Sequence, residues 1–147
     1  MRSHEITHLN ITTFERKIIR HEGFKRFAYT DSVGSCTIGC GRNVDARGGL
    51  GLSPDEVIYL LRNDLKRVEY ELMQFSWYRH IDSRTRQEAL IEFVFNIGLT
   101  DFLDFKKTIT ALIDQDYDKA AAEMLDSLWA DQVGYRAVDV SERIKNG

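Results

Sequence analysis

Glu22-Gly23-Phe24-Lys25-Arg26-Phe27-Ala28-Tyr29-Thr30-Asp31-Ser32-Val33-Gly34-Ser35-Cys36-Thr37-Ile38-Gly39-Cys40-Gly41 is the stretch that decides the fold. Gly23 reads as a helix stop. Residues 24–30 and 35–41 flank the turn Asp31-Ser32-Val33-Gly34, so the segment reads as a β-hairpin. One acid, Glu22, ends the element before the hairpin. A second, Asp31, opens its turn, and a hydroxyl, Thr37, lies on the returning strand. One short fold-back brings the three elements together. Alternation on the returning strand places Cys36, Ile38 and Cys40 on one face and Thr37, Gly39 and Gly41 on the other. The first face is apolar and reads as core. The second is almost bare, which suits close approach of a ligand or another backbone, or simply relieves crowding and permits twist.

Upstream, Thr12-Thr13-Phe14-Glu15 has the Thr-x-x-Glu form of a capping box, and predicts a helix to about Glu22 with Phe14, Ile18 and Ile19 facing inward. Downstream, Ser53-Pro54-Asp55-Glu56 combines a capping serine, a first-turn proline and acids near the positive helix end. Val57, Leu61, Leu65, Val68 and Leu72 follow as one stripe, so a long helix is expected to about Gln74. Another helix is expected to start at Thr85-Arg86-Gln87-Glu88. Its wide apolar face (Ala89, Leu90, Phe93, Val94, Ile97) places it at the centre of the helical part, and Gly98 ends it. Helices are expected over 105–114, 117–129 and 135–145, with Gln115-Asp116 as a turn. Trp129, Phe93, Phe95, Phe102 and Phe105 read as core.

The chain has 147 residues, one proline and no low-complexity run, which fits a single domain or two coupled lobes. A formal net charge of −3 excludes a general basic footprint for nucleic acid. No apolar run reaches the ~18 residues that span a membrane. Met1 to His8 lacks the apolar core of a signal peptide, so a cytoplasmic origin is expected. Cys36 and Cys40, four residues apart on a strand, would have Cα atoms ~13 Å apart against the ~7 Å limit of a disulfide, so both read as free, buried thiols. His4, His8, His21 and His80 show no His-Glu-x-x-His spacing, and no metal is assigned. His21, beside Glu22, reflects local structure or tunes the acid.

Two carboxylates flanking a polar cleft are the equipment of glycoside hydrolysis. Glu, eight residues, Asp, five residues, Thr resembles the catalytic pattern of the phage-type lysozymes, glycoside hydrolase family 24. Three later blocks add to it. Thr37-Ile38-Gly39-Cys40-Gly41 resembles the family's Thr-Ile-Gly-x-Gly strand. Val94-Phe95-Asn96-Ile97-Gly98 resembles its central-helix signature, and Trp129 through Arg136-Ala137 its C-terminal segment.

The resemblance implies an α+β, mainly α, lysozyme-like fold as one catalytic domain over 1–147. A hairpin lobe (about 24–52) and a helical lobe (about 12–23 and 75–147) would be joined by a connecting helix (about 53–74), with the cleft between the lobes. It implies hydrolysis of the β-1,4 bond between N-acetylmuramic acid and N-acetylglucosamine by an inverting mechanism, causing host cell lysis. Glu22 would be the acid, Asp31 the base that activates water, and Thr37 the group that holds that water. Arg136 falls where the family pairs an arginine with the catalytic glutamate. Arg42 and Asp64 are expected to form an ion pair between hairpin and long helix. Asn96 and Thr108 match polar positions near the sugar. No cofactor is implied. The partners would be peptidoglycan glycan strands, with a holin-type pore for release, no stable membrane insertion and a monomeric enzyme held in the host cytoplasm until release. A non-catalytic muropeptide-binding module and a lytic transglycosylase are the rivals. All three of Glu22, Asp31 and Thr37 are present, which argues against the first; retention of Asp31 and Thr37 disfavours the second.

Overall fold

The computed structural model describes residues 7–147; the reading of His4 and of the segment before Thr7 lies outside them. The chain divides into two compact units, one ending at Ile58 and one spanning Tyr59–Gly147.

The first unit opens with helix α1 (Thr13–Glu22). The Thr12 hydroxyl accepts the Glu15 N–H at 3.1 Å, and the Thr12 N–H donates to the Glu15 carboxylate at 2.6 Å. This reciprocal box satisfies two of the orphan groups at the helix start. Strands β1 (Lys25–Thr30), β2 (Cys36–Gly39) and β3 (Arg42–Asn43) follow as an antiparallel sheet in the order β1-β2-β3. Tyr29 pairs with Thr37 and Thr30 with Cys36, while Thr37 pairs across the other edge with Asn43. The sequence showed only a hairpin, because two residues are too few for alternation to reveal β3. The loop beyond it is tightly closed. Gly49 N–H donates to the Asp45 carbonyl at 2.7 Å and Gly51 N–H to the Asn43 carbonyl at 3.2 Å. A Cβ on Gly49 would overlap Asn43 Oδ1 and the Asp45 backbone, so only glycine fits.

Among the described residues of this unit only Ile19 and Thr37 are buried. Two expectations are corrected here. Phe14 and Ile18 are exposed, since one helix and three short strands carry too little apolar surface to surround them. Cys36 and Cys40 are free but exposed, not buried. β2 ends at Gly39, whose φ of 71° breaks the alternation before Cys40, and the face that turns inward is that of Thr37.

Helix α2 (Pro54–Met73) contains the division between the units. Its start is another reciprocal box: the Ser53 hydroxyl accepts the Glu56 N–H at 3.2 Å and the Ser53 N–H donates to Glu56 Oε2 at 2.8 Å. Of the apolar stripe, Val68 and Leu72 are buried, whereas Val57 and Leu61 remain exposed.

The second unit continues with α3 (Ser76–Arg79), α4 (Arg84–Ile97), α5 (Leu99–Phe102), α6 (Lys106–Ile113), α7 (Tyr117–Leu125), α8 (Leu128–Val133) and α9 (Tyr135–Asn146). Ala89, Leu90, Phe93 and Val94 put α4 in the core, as the wide apolar face predicts. Phe93 lies edge-on to Phe102 and Phe105 at centroid distances of 5.6 and 5.0 Å, and 4.4 Å from Trp129. Phe95, expected in the core, is instead exposed, one step round the helix from Val94. Arg86 ties the start of α4 to the end of α9. Its Nε and Nη2 donate to the Ile144 and Lys145 carbonyls at 2.8 and 3.0 Å, and its guanidinium lies 3.8 Å from the Tyr117 ring centroid. A cation on the last carbonyls satisfies groups with no helical partner and complements the helix dipole.

Candidate active site

Glu22 is the last residue of α1, where Gly23 stops the helix with φ 91° and donates its N–H to the Ile19 carbonyl at 2.8 Å. The Glu22 carboxylate leans on Gly41. A Cβ built there would lie 3.0 Å from Glu22 Oε2, and φ at Gly41 is 82°. The bare face of the second strand is thus explained at this point by close approach of a side chain. A Cβ there would require the carboxylate to shift by a few tenths of an ångström, and the backbone angle itself favours glycine.

Asp31 sits just past β1 and organises the turn. Its Oδ1 accepts the N–H groups of Val33 and Ser35 at 3.0 and 2.8 Å, and its own N–H donates to the Ser35 carbonyl at 2.9 Å. These bonds leave Oδ2 to face Thr37, whose Oγ1 is 3.4 Å away; the same hydroxyl lies 3.2 Å from the Ser35 carbonyl. A 3.4 Å contact is long for a hydroxyl donor, so the carboxylate oxygen is only weakly engaged. Thr37 is 3% exposed, fixed in the middle strand with pairing on both sides. The structure therefore brings Asp31 and Thr37 together and sets Glu22 against Gly41, all in the first unit.

The supporting residues have partners that the sequence reading did not choose. Arg42 was expected to meet Asp64. Instead its Nη1 and Nη2 donate to Glu56 Oε2 and Oε1, both at 2.8 Å, and Nη1 also reaches the Gly51 carbonyl at 3.0 Å. Asp64 lies two turns further along α2, with Arg67 at 3.7 Å. Glu56 wins because the Ser53 box fixes its carboxylate beside the closed loop. The Arg42 guanidinium, helped by the Ser53 N–H, holds the Glu56 carboxyl below the usual carboxylate range. Asp45 is held down in the same way by the Arg47 side chain and N–H and by the Cys36 N–H. In the second unit Arg136, on α9, meets Glu92 of α4 at 3.3 Å. Glu92 also contacts Arg143, which in turn meets Asp139 at 2.8 Å. Glu69 is held low by Arg84, and burial, with Glu69 beside it, pushes the Tyr78 hydroxyl up.

Asn96 is exposed, and its Oδ1 accepts the Trp129 Nε1–H at 2.7 Å. Thr108 is 2% exposed. The sequence did carry a signal for Glu56, as the glutamate of the Ser-x-x-Glu box. It carried none for Glu92, one helical turn before Asn96 in the mostly apolar second half of α4.

The family model for phage lysozyme matches residues 19–143, a span that contains Glu22, Asp31, Thr37 and Arg136. The chain belongs to the phage lysozyme family. It is also 28% identical over 153 aligned positions to the Dictyostelium discoideum protein named "Probable T4-type lysozyme 1", covering 86% of this chain and 89% of that protein. Membership makes the chain a lysozyme, a glycosidase that acts on peptidoglycan. Its helices and small antiparallel sheet are the lysozyme-like α+β fold. Among the described residues no helix is long and apolar enough to cross a membrane.

Proposed function

We propose that this lysozyme hydrolyses the β-1,4 bond between N-acetylmuramic acid and N-acetylglucosamine with inversion at the anomeric carbon. Glu22 protonates the leaving oxygen. Asp31 takes a proton from the attacking water, which the Thr37 hydroxyl helps to hold. The observation that carries this reading is the division of labour at Asp31: Oδ1 is bound by turn amides, while Oδ2 and the Thr37 hydroxyl face each other at 3.4 Å. That arrangement sets one carboxylate oxygen beside one hydroxyl, the two groups that activation of water uses. A transglycosylase has no use for such a pair.

Mass analysis of the products from purified peptidoglycan tests the reaction, with NMR of the first anomer released. Reducing muramic ends of inverted configuration are expected. Anhydro-muramic ends would overturn hydrolysis, and a retained configuration would overturn the role of Asp31. Glu22→Gln keeps the shape and removes the proton donor; turnover should fall at least about 10²-fold. Lysis of a host through a separate membrane pore is the biological setting that this activity fits.

A further inference from the structure

Strand β3 has two residues and one neighbour, too little to hold itself in place. Yet the residue before it, Gly41, makes the close contact with Glu22. The Gly51 N–H on the Asn43 carbonyl and the Val44 N–H on the Cys36 carbonyl hold the far end of β3, and the Arg42 side chain adds a tie beside Gly41. We propose that Arg42 and Glu56 form a clamp that positions the catalytic acid by holding Gly41 against it. The inference rests on the reading of Glu22 as that acid.

Three observations support the clamp. Its geometry is a two-pronged fork, with both guanidinium prongs on both carboxylate oxygens at 2.8 Å. Such a fork fixes orientation as well as distance, which a lysine in the same place would not do. Both ends of the fork are anchored. Glu56 is locked by the Ser53 box, and Arg42 also grips the Gly51 carbonyl at 3.0 Å across the closed loop. Lastly, the pair is a poor candidate for a purely stabilising one. Its side chains are 35% and 39% exposed, and ion pairs so open to water contribute little to global stability, so its effect is local to the segment it ties down. The start of α2, the loop and β3 thus make one block. Gly41 precedes Arg42 in the chain, and its missing Cβ gives the Glu22 carboxylate clearance, since a Cβ there would stand 3.0 Å from Oε2.

The test separates positioning from stability. Turnover of soluble glycan fragments is measured for Glu56→Gln and Arg42→Gln, with kcat and KM resolved and melting followed in parallel. Gln at position 56 still serves the Ser53 box, so the helix start survives and only the fork is lost. Both variants should lose about tenfold in kcat, the scale of a small misplacement of a reacting group, with little change in KM. Arg86→Ala, in the second unit, is the control: it should melt lower with kcat unchanged. Gly41→Ala reaches the same contact with the fork intact, and should lower kcat at least as much. Unchanged kcat in Glu56→Gln would overturn the clamp, as would an equal loss of kcat in Arg86→Ala. Retained turnover in Glu22→Gln is a different result, because it removes the acid itself and so the reading on which the clamp depends.

Discussion

On the proposed reading Asp31 has two tasks, and they use different oxygens. Oδ1 builds the turn through two N–H groups, and Oδ2 faces Thr37. Asparagine keeps an oxygen for the turn and loses the charge and the basic oxygen. Asp31→Asn is therefore expected to fold and melt like the wild type while losing at least about 10²-fold in turnover. Calorimetry and peptidoglycan turnover on the same preparation check both halves. A variant that is active but unstable would leave Asp31 as a turn residue alone. Both tasks had traces in the sequence. Asp before Ser-Val-Gly reads as a turn, and the spacing from Glu22 reads as chemistry. The burial of Thr37 did not show. Strict alternation made Cys36 and Cys40 the inner face, but the strand buries the opposite face at Thr37, and the positive-φ Gly39 ends the alternation before Cys40.

At the scale of elements, legibility followed length and capping. α1 and α2 were readable because each combines a clear start with an apolar period, and α9 was readable although it has no side-chain cap. The one-turn helices α3 and α5 were not, since four residues carry no period. Residues 117–129 read as one helix but form two, because the Ser127 hydroxyl accepts the Ala130 N–H at 3.2 Å and starts α8 afresh. α4 starts ahead of the Thr85 that the sequence suggests. Ser83 caps it, and Arg86, read only as part of a start signal, reaches the far end of α9. That long-range staple has no local signature. It yields a prediction at this scale. Arg86→Ala removes two charge-assisted bonds to helix-end carbonyls and the contact with Tyr117, and should destabilise the second unit by about 2 kcal/mol. Denaturant unfolding checks it. A change under about 0.5 kcal/mol would mean that water replaces the guanidinium on those carbonyls without loss.

Across the whole molecule the two units rest on unlike foundations. The second has a continuous aromatic and aliphatic core around Phe93, Leu90 and Val94. The first buries Ile19 and Thr37 among its described residues and relies on boxes, turns and ion pairs, many of them involving carboxylates. Glu15, Asp45 and Glu56 are all held below their ordinary range there by donors that favour the charged form. A carboxylate whose folded pKa is depressed contributes stability above its unfolded value and loses it as pH falls through the folded one. In that interval the unfolded chain binds more protons, so acid favours opening. Glu69 adds the same sign in the second unit, where a large core remains when the charge is gone. Acidification below about pH 5 should therefore loosen the first unit before the second. Hydrogen exchange, corrected for the intrinsic pH dependence of the rate, should show protection at residues 25–43 falling while α4 and α9 stay protected. Glu56→Gln should be less protected than wild type over that segment at neutral pH. The gap should close in acid, because protonation removes from the wild type what the substitution has already removed. Arg42 stays charged throughout, so this pair adds no transition near neutrality. Simultaneous loss of protection in both units, or a gap that persists unchanged in acid, would show that the ion pairs of the first unit do not govern its opening.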